Sequence, residues 1–199
     1  PHMVRKGGLA TYISSSVEAD SVVYRSNERY LVTITGNVAC FNVYMPHQGL
    51  YDSGLYSKIL AEITTIIYTL GPSYAYVFAG DFNTSGRNVK LFKNVCDEHE
   101  LLDNSANIAY TYSQKGGSAG GLCSTKIDFI LTKNFPDDQT FICNKNTSIP
   151  VRGGHIPIEL QCQIPHLQIR AVGEDQNEPT SPDPIRIDWD KVTDLERNS

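Results

Sequence analysis

Residues 74–82, YAYVFAGDF, set the strongest limit on what this chain can fold into. The run is apolar at consecutive positions rather than alternating ones. A strand of that kind is covered on both faces, so it belongs inside a layered structure. It runs directly into Asp81 and, two residues later, Asn83. Residues two apart in an extended chain project to the same side. A carboxylate there can hold a hard cation or take a proton, and an amide can orient a phosphate oxygen. The competing reading is a simple turn after a strand, because Asp, Asn, Ser and Gly are turn residues.

The rest of the chain supplies the other layers. Residues 7–14 and 29–46 are rich in β-branched and aromatic residues and read as strands, with a hairpin turn at Gly36-Asn37. Residues 51–70 carry Leu55, Ile59, Ile63, Ile66 and Ile67 at helical spacing, with Ser53 as N-cap and Gly71-Pro72 as the stop. Residues 88–103 read as a second helix with Val89, Phe92, Val95 and Cys96 on one face. Residues 126–133 and 155–164 read as strands. The order is strand, strand, helix, strand, helix, strand, strand, which predicts an α/β protein of layered sheets flanked by helices.

Charge narrows the partners. The net charge is −5, and Ala171–Ser199 carries all of it, with eight acids against three bases. The remaining body is neutral. A general nucleic-acid binder shows a basic excess, so any such contact here must be local or weak. Residues 169–199 read as an acidic linker or tail. No apolar run approaches the ~18 residues of a membrane helix, and no signal peptide is visible. The five cysteines are scattered without a CxxC, which indicates neither a zinc site nor a disulfide framework. Buried free thiols are the expected state, with Tyr12, Cys40 and Cys123 in the core.

Three further stretches join GDFN. NVYMPHQG, residues 42–49, ends a strand at Tyr44 and Pro46. YTYSQKGGSAGGLCSTKIDFIL, residues 110–131, carries Thr111, a small-residue loop and then Asp128 inside a strand. RGGHIPIEL, residues 152–160, opens a strand with His155. A lone carboxylate in an apolar strand is expensive without a partner, so Asp128 points to a site or a fixed ion pair. In this order and spacing the four stretches resemble the endonuclease/exonuclease/phosphatase family. Within it they look most like the endonuclease domain of non-LTR retrotransposons.

The resemblance covers residues 4–168 as one partial domain. It implies an α/β (α+β) fold, a four-layer sandwich of two β-sheets flanked by helices, incomplete at the amino terminus. It implies hydrolysis of DNA phosphodiesters with Mg²⁺ or Mn²⁺ at an intracellular location, nuclear or cytoplasmic, with no membrane. Asp81 resembles the residue that activates or orients the attacking water, and is the candidate metal ligand. Asn83 resembles the amide that holds the scissile phosphate, and Tyr44 the tyrosine that contacts it. His155 resembles the histidine that stabilises the transition state, Asp128 the aspartate that orients it, and Thr111 a DNA-contacting threonine of the retrotransposon branch.

Two departures accompany the likeness. The family's aspartate directly before the histidine is Gly154 here. The family's asparagine-bearing strand and its principal metal-ligating glutamate lie upstream of the segment that RKGGLATYIS matches, where this sequence begins. The sequence therefore supports two readings. One is a retrotransposon-type endonuclease domain, impaired or inactive in this chain. The other is a catalytically dead module that binds a protein partner or a second copy of itself across the missing strands.

Overall fold

The computed structural model describes residues 9–14, 23–26, 29–47, 53–115, 122–149 and 153–163. Its centre is a six-stranded sheet. β1 (Val23–Ser26), β2 (Tyr30–Thr35) and β3 (Val38–Tyr44) form an antiparallel meander turned at Gly36-Asn37. β4 (Ala75–Asp81) lies parallel to β3, and β8 (Asp128–Lys133) antiparallel to β4. β5 (Leu102–Asp103) closes the edge, giving the order β1-β2-β3-β4-β8-β5. Two smaller pairs complete the strands: β6 (Tyr112–Lys115) with β7 (Leu122–Thr125), and β9 (Ile142–Lys145) with β10 (Ile158–Gln161).

The expectation for residues 74–82 holds in detail. Tyr76 and Phe78 of β4 face one side and join Phe41 and Val43 of β3 in the main core. Helix α1 (Ser53–Leu70) covers that side with Tyr56, Ile59, Ile63 and Ile67. Each such buried side chain contributes roughly 1.5–3 kcal/mol. Val77 and Ala79 face the other side and meet Ile130, Cys143, Ile158 and Leu160. The described residues thus give a helical layer, the large sheet, and β9–β10 as a second sheet layer. This is a mixed α+β fold. A second helical layer is not formed by the described residues, and residues 169–199 lie outside them.

Several expectations fail for physical reasons. Residues 9–14 form no strand; Asn42 Nδ2 instead donates to Ala10 O at 2.9 Å. Tyr12 there is 81% exposed, not core. The second helix, α2 (Arg87–Glu98), stops five residues early. Leu101 N donates to Cys96 O at 2.9 Å and Glu100 N to Asp97 O at 3.3 Å, a Schellman closure. Glu100 takes the left-handed position, φ 52°, where glycine or asparagine would have announced the stop. Val89 sits on the exposed face of α2, apart from Phe92. β6 and β7 pair on either side of residues 116–121, and the expected small-residue loop there lies outside the described residues. The thiols are free, but only Cys143 is buried; Cys40, Cys96 and Cys162 are half-buried and Cys123 is exposed. No described helix is long and apolar enough to cross a membrane.

Candidate active site

The site is assembled at one end of the large sheet. Tyr44 pairs with Asp81 in the β3–β4 register, and Asp81 pairs with Asp128 in the β4–β8 register. The three residues form one row across neighbouring strands. The alternation that sends Val43, Phe78 and Phe129 to the helical core sends this row to the opposite face. Close strand approach is required here. A Cβ at Gly80 would fall 1.9 Å from Val43 O, at φ 144°, so only glycine fits before Asp81.

Aromatic packing fixes the two strand ends behind the row. Phe82 meets Phe92 of α2 at 5.0 Å and Phe129 of β8 at 6.0 Å between ring centroids. Phe82 N donates to Ile127 O at 2.8 Å, and Tyr56 Oη donates to Phe82 O at 2.8 Å. A carboxylate carried on such a support has little freedom.

Asp81 and Asn83 are side by side, though not by strand alternation. The strand ends at Asp81, and Asn83 adopts φ 45°, a left-handed position that asparagine tolerates. Asn83 N donates to Asp81 Oδ1 at 2.9 Å, and Asn83 Nδ2 to Asp81 Oδ2 at 3.0 Å. The same Nδ2 donates to Met45 O at 2.8 Å. Asn83 is therefore buried and holds the Asp81 carboxylate from both oxygens. Burial pushes the Asp81 carboxyl up to about 6 from 3.8; the Asp128 carboxylate opposite adds to the rise, while the Asn83 hydrogen bonds and His155 oppose it.

His155 enters from the second sheet layer. Its Nδ1 lies 3.2 and 3.1 Å from the two oxygens of Asp128. A carboxylate at Nδ1 favours the proton there and leaves Nε2 for other partners. The imidazole also packs edge-on against Tyr112 at 4.8 Å. Ala79, Gly80 and Ile130 of the sheet, with Asp128 and the His155–Ile158 segment, line an open pocket of about 260 Å³.

Of the sequence-predicted residues, Asp81, Asn83, Asp128 and His155 come together. Tyr44 stands beside them, 40% exposed, with the Arg29 guanidinium 5.1 Å above its ring. Thr111 lies beneath the site with no exposed surface, so its side chain faces protein. Its hydroxyl accepts from Ile127 N and Asp128 N. Sequence reasoning missed Arg29, Met45 and Tyr112. Arg29 and Met45 sit next to strand motifs without a pattern of their own.

The geometry suits a divalent cation. Asp81, Asp128 and His155 each offer a ligand atom, all within 4.8 Å of one another. Each carboxylate oxygen keeps lone pairs beyond its internal hydrogen bonds. Few protein ligands leave room for several waters, as Mg²⁺ requires, while the imidazole also suits Mn²⁺.

No protein-family model matches this sequence, and no curated protein matches it. The fold, however, is shared with solved nucleases and a phosphatase. The endonuclease domain of TRAS1, a telomere-specific non-LTR retrotransposon, is similar at TM-score 0.57 and 14% identity, over 74% of this chain and 70% of that one. An AP endonuclease from Archaeoglobus fulgidus is similar at TM-score 0.54 and 15% identity, over 74% and 72% of the two chains. The 3′ phosphatase NExo from Neisseria, solved with a product DNA hairpin, is similar at TM-score 0.52 and 17% identity, over 72% of each chain. The chain thus has the endonuclease/exonuclease/phosphatase-like fold, at low sequence identity to these structures.

Proposed function

We propose that this chain is a retrotransposon-type endonuclease domain that hydrolyses DNA phosphodiester bonds with a divalent cation, Mg²⁺ or Mn²⁺. The observation that carries the reading is the Asp128–His155 pair, 3.1 Å apart, set beside Asp81 on a rigid strand end. The likeness to the TRAS1 endonuclease domain supports the retrotransposon branch. An intracellular setting, nuclear or cytoplasmic, goes with it.

The roles follow from the donors. Asp81 and Asp128 would hold the cation, which would supply charge stabilisation at the phosphate. Asp81 also lies where a carboxylate can orient an attacking water and accept its proton. Asn83 fixes that carboxylate. His155, oriented by Asp128 through Nδ1, would in its doubly protonated form donate from Nε2 to the phosphate as negative charge grows there. Tyr44, at the end of the row, with Arg29 over its ring, supplies a further donor to the DNA backbone. Nicking of supercoiled plasmid in Mg²⁺ or Mn²⁺, suppressed by EDTA, tests this. Absence of nicking under both cations would oppose it.

One observation favours the second reading, a binding module without catalysis. Gly154 occupies the place of the family's aspartate, and a Cβ there would lie 2.3 Å from Ser113 O. The carboxylate expected before the histidine is missing, and this backbone leaves no space for it. Loss of one such group costs orders of magnitude in rate. Capture of a protein partner, or a concentration-dependent dimer, with no nicking would support this alternative.

A further inference from the structure

We infer that Thr111 is a positioning residue that sets the Asp128–His155 pair from below, rather than a contact for DNA. The inference rests on the catalytic reading of that pair given above. Thr111 Oγ1 lies 3.2 Å from Ile127 N and 2.9 Å from Asp128 N, and accepts from both. Its carbonyl accepts from Ile156 N at 2.6 Å, one residue beyond His155. The next residue, Tyr112, forms an antiparallel bridge with His155, and Ser113 N donates to Gly154 O at 2.9 Å. One residue therefore ties down both partners. Its hydroxyl holds the backbone that carries Asp128, and its carbonyl begins the bridge that carries His155.

The chemistry explains why threonine is needed. A fully buried hydroxyl is costly unless its hydrogen bonds are made. Here two lone pairs take two backbone donors, Ile127 N and Asp128 N, where β8 begins. Valine would fill the same space but leave both N–H groups unsatisfied. β5 gives no help, because it pairs with β8 only at Leu131 and Thr132. Release of that backbone would change the Asp128–His155 distance, and a misplacement near 1 Å costs about 10²-fold in rate.

The test compares Thr111→Val and Thr111→Ser in the full chain. Two readouts are used: plasmid nicking, and the low-field proton signal of His155 Nδ1–H beside Asp128. The valine variant is expected to lose about 10²-fold in kcat with KM within about twofold, and to lose or shift the proton signal. The serine variant is expected to retain both. A change in KM and its salt dependence, with kcat and the proton signal unchanged, would overturn the inference in favour of a DNA contact. A folded valine variant with unchanged kcat and signal would overturn it outright. If the valine variant does not fold, hydrogen exchange on the wild type decides. The amides of Ile127, Asp128 and Ile156 are expected to open together, and unrelated rates would contradict the shared tether. A wild-type chain that does not nick would sink the catalytic reading, while the spectroscopic and exchange arms still judge the tether.

Discussion

Asp81 stands directly opposite Asp128 in the antiparallel ladder between β4 and β8. Two carboxylates so placed repel each other unless something positive shares the space. His155 hydrogen-bonds Asp128 on one side of this pair, and a divalent cation would supply the positive charge. The consequences can be separated by experiment.

The first concerns the His155–Asp128 pair. Asp128→Asn and His155→Ala are each expected to lower nicking by about 10²–10⁴-fold. The double variant should be little worse than either single one, because the two residues act as a unit. Multiplicative losses in steady-state kinetics would show that they work independently.

The second concerns the charge at Asp81 in metal-free buffer. Its folded-state value, about 6, lies above the ordinary 3.8. The folded chain therefore keeps a proton that the unfolded chain has released between these values. The stability this contributes is complete below about 3.8 and is lost as pH rises through about 6. Asp81→Asn removes the titration. Melting temperatures of both proteins in EDTA should shift in favour of the variant between pH 4 and pH 7.5. A constant difference across that range would contradict the raised value.

The third concerns Gly154. Its φ is 84°, and a Cβ there meets Ser113 O. Gly154→Asp, which restores the family residue, is expected to destabilise the chain by at least about 1–2 kcal/mol and to add no activity. Gly154→Ala should lose a similar amount in urea unfolding. A stable, more active aspartate variant would show that the segment rearranges freely.

The fourth concerns the support behind the row. Phe82 is buried between Phe92 and Phe129. Phe82→Ala is expected to cost about 3–5 kcal/mol by denaturant unfolding. A loss below about 1 kcal/mol would mean that the strand ends are held by other contacts.

Much of this site was legible because strand alternation and burial leave marks in the sequence. YAYVFA announced a strand covered on both faces, and Tyr76 and Val77 do face opposite layers. Asp128 between Ile127 and Phe129 announced a partner, and His155 is that partner. Asp81 and Asn83 were expected together, yet a left-handed turn at Asn83 brings them together, not extended geometry. Other features leave no such mark. The stop of α2 depends on Glu100 taking a conformation its side chain does not advertise. The role of Thr111 depends on contacts 16 and 17 residues away in the chain. Residues 9–14 have strand composition, but no neighbouring strand pairs with them among the described residues, and propensity alone does not make a ladder.

The most direct measurement is nicking of supercoiled plasmid by equal preparations of the wild type and Asp81→Ala, with Mn²⁺ or Mg²⁺ present. The expected result is nicking by the wild type that falls at least about 10²-fold in the variant, as loss of a charge-stabilising group at the reacting centre predicts. No nicking by either protein, or equal nicking by both, would contradict catalysis at this site.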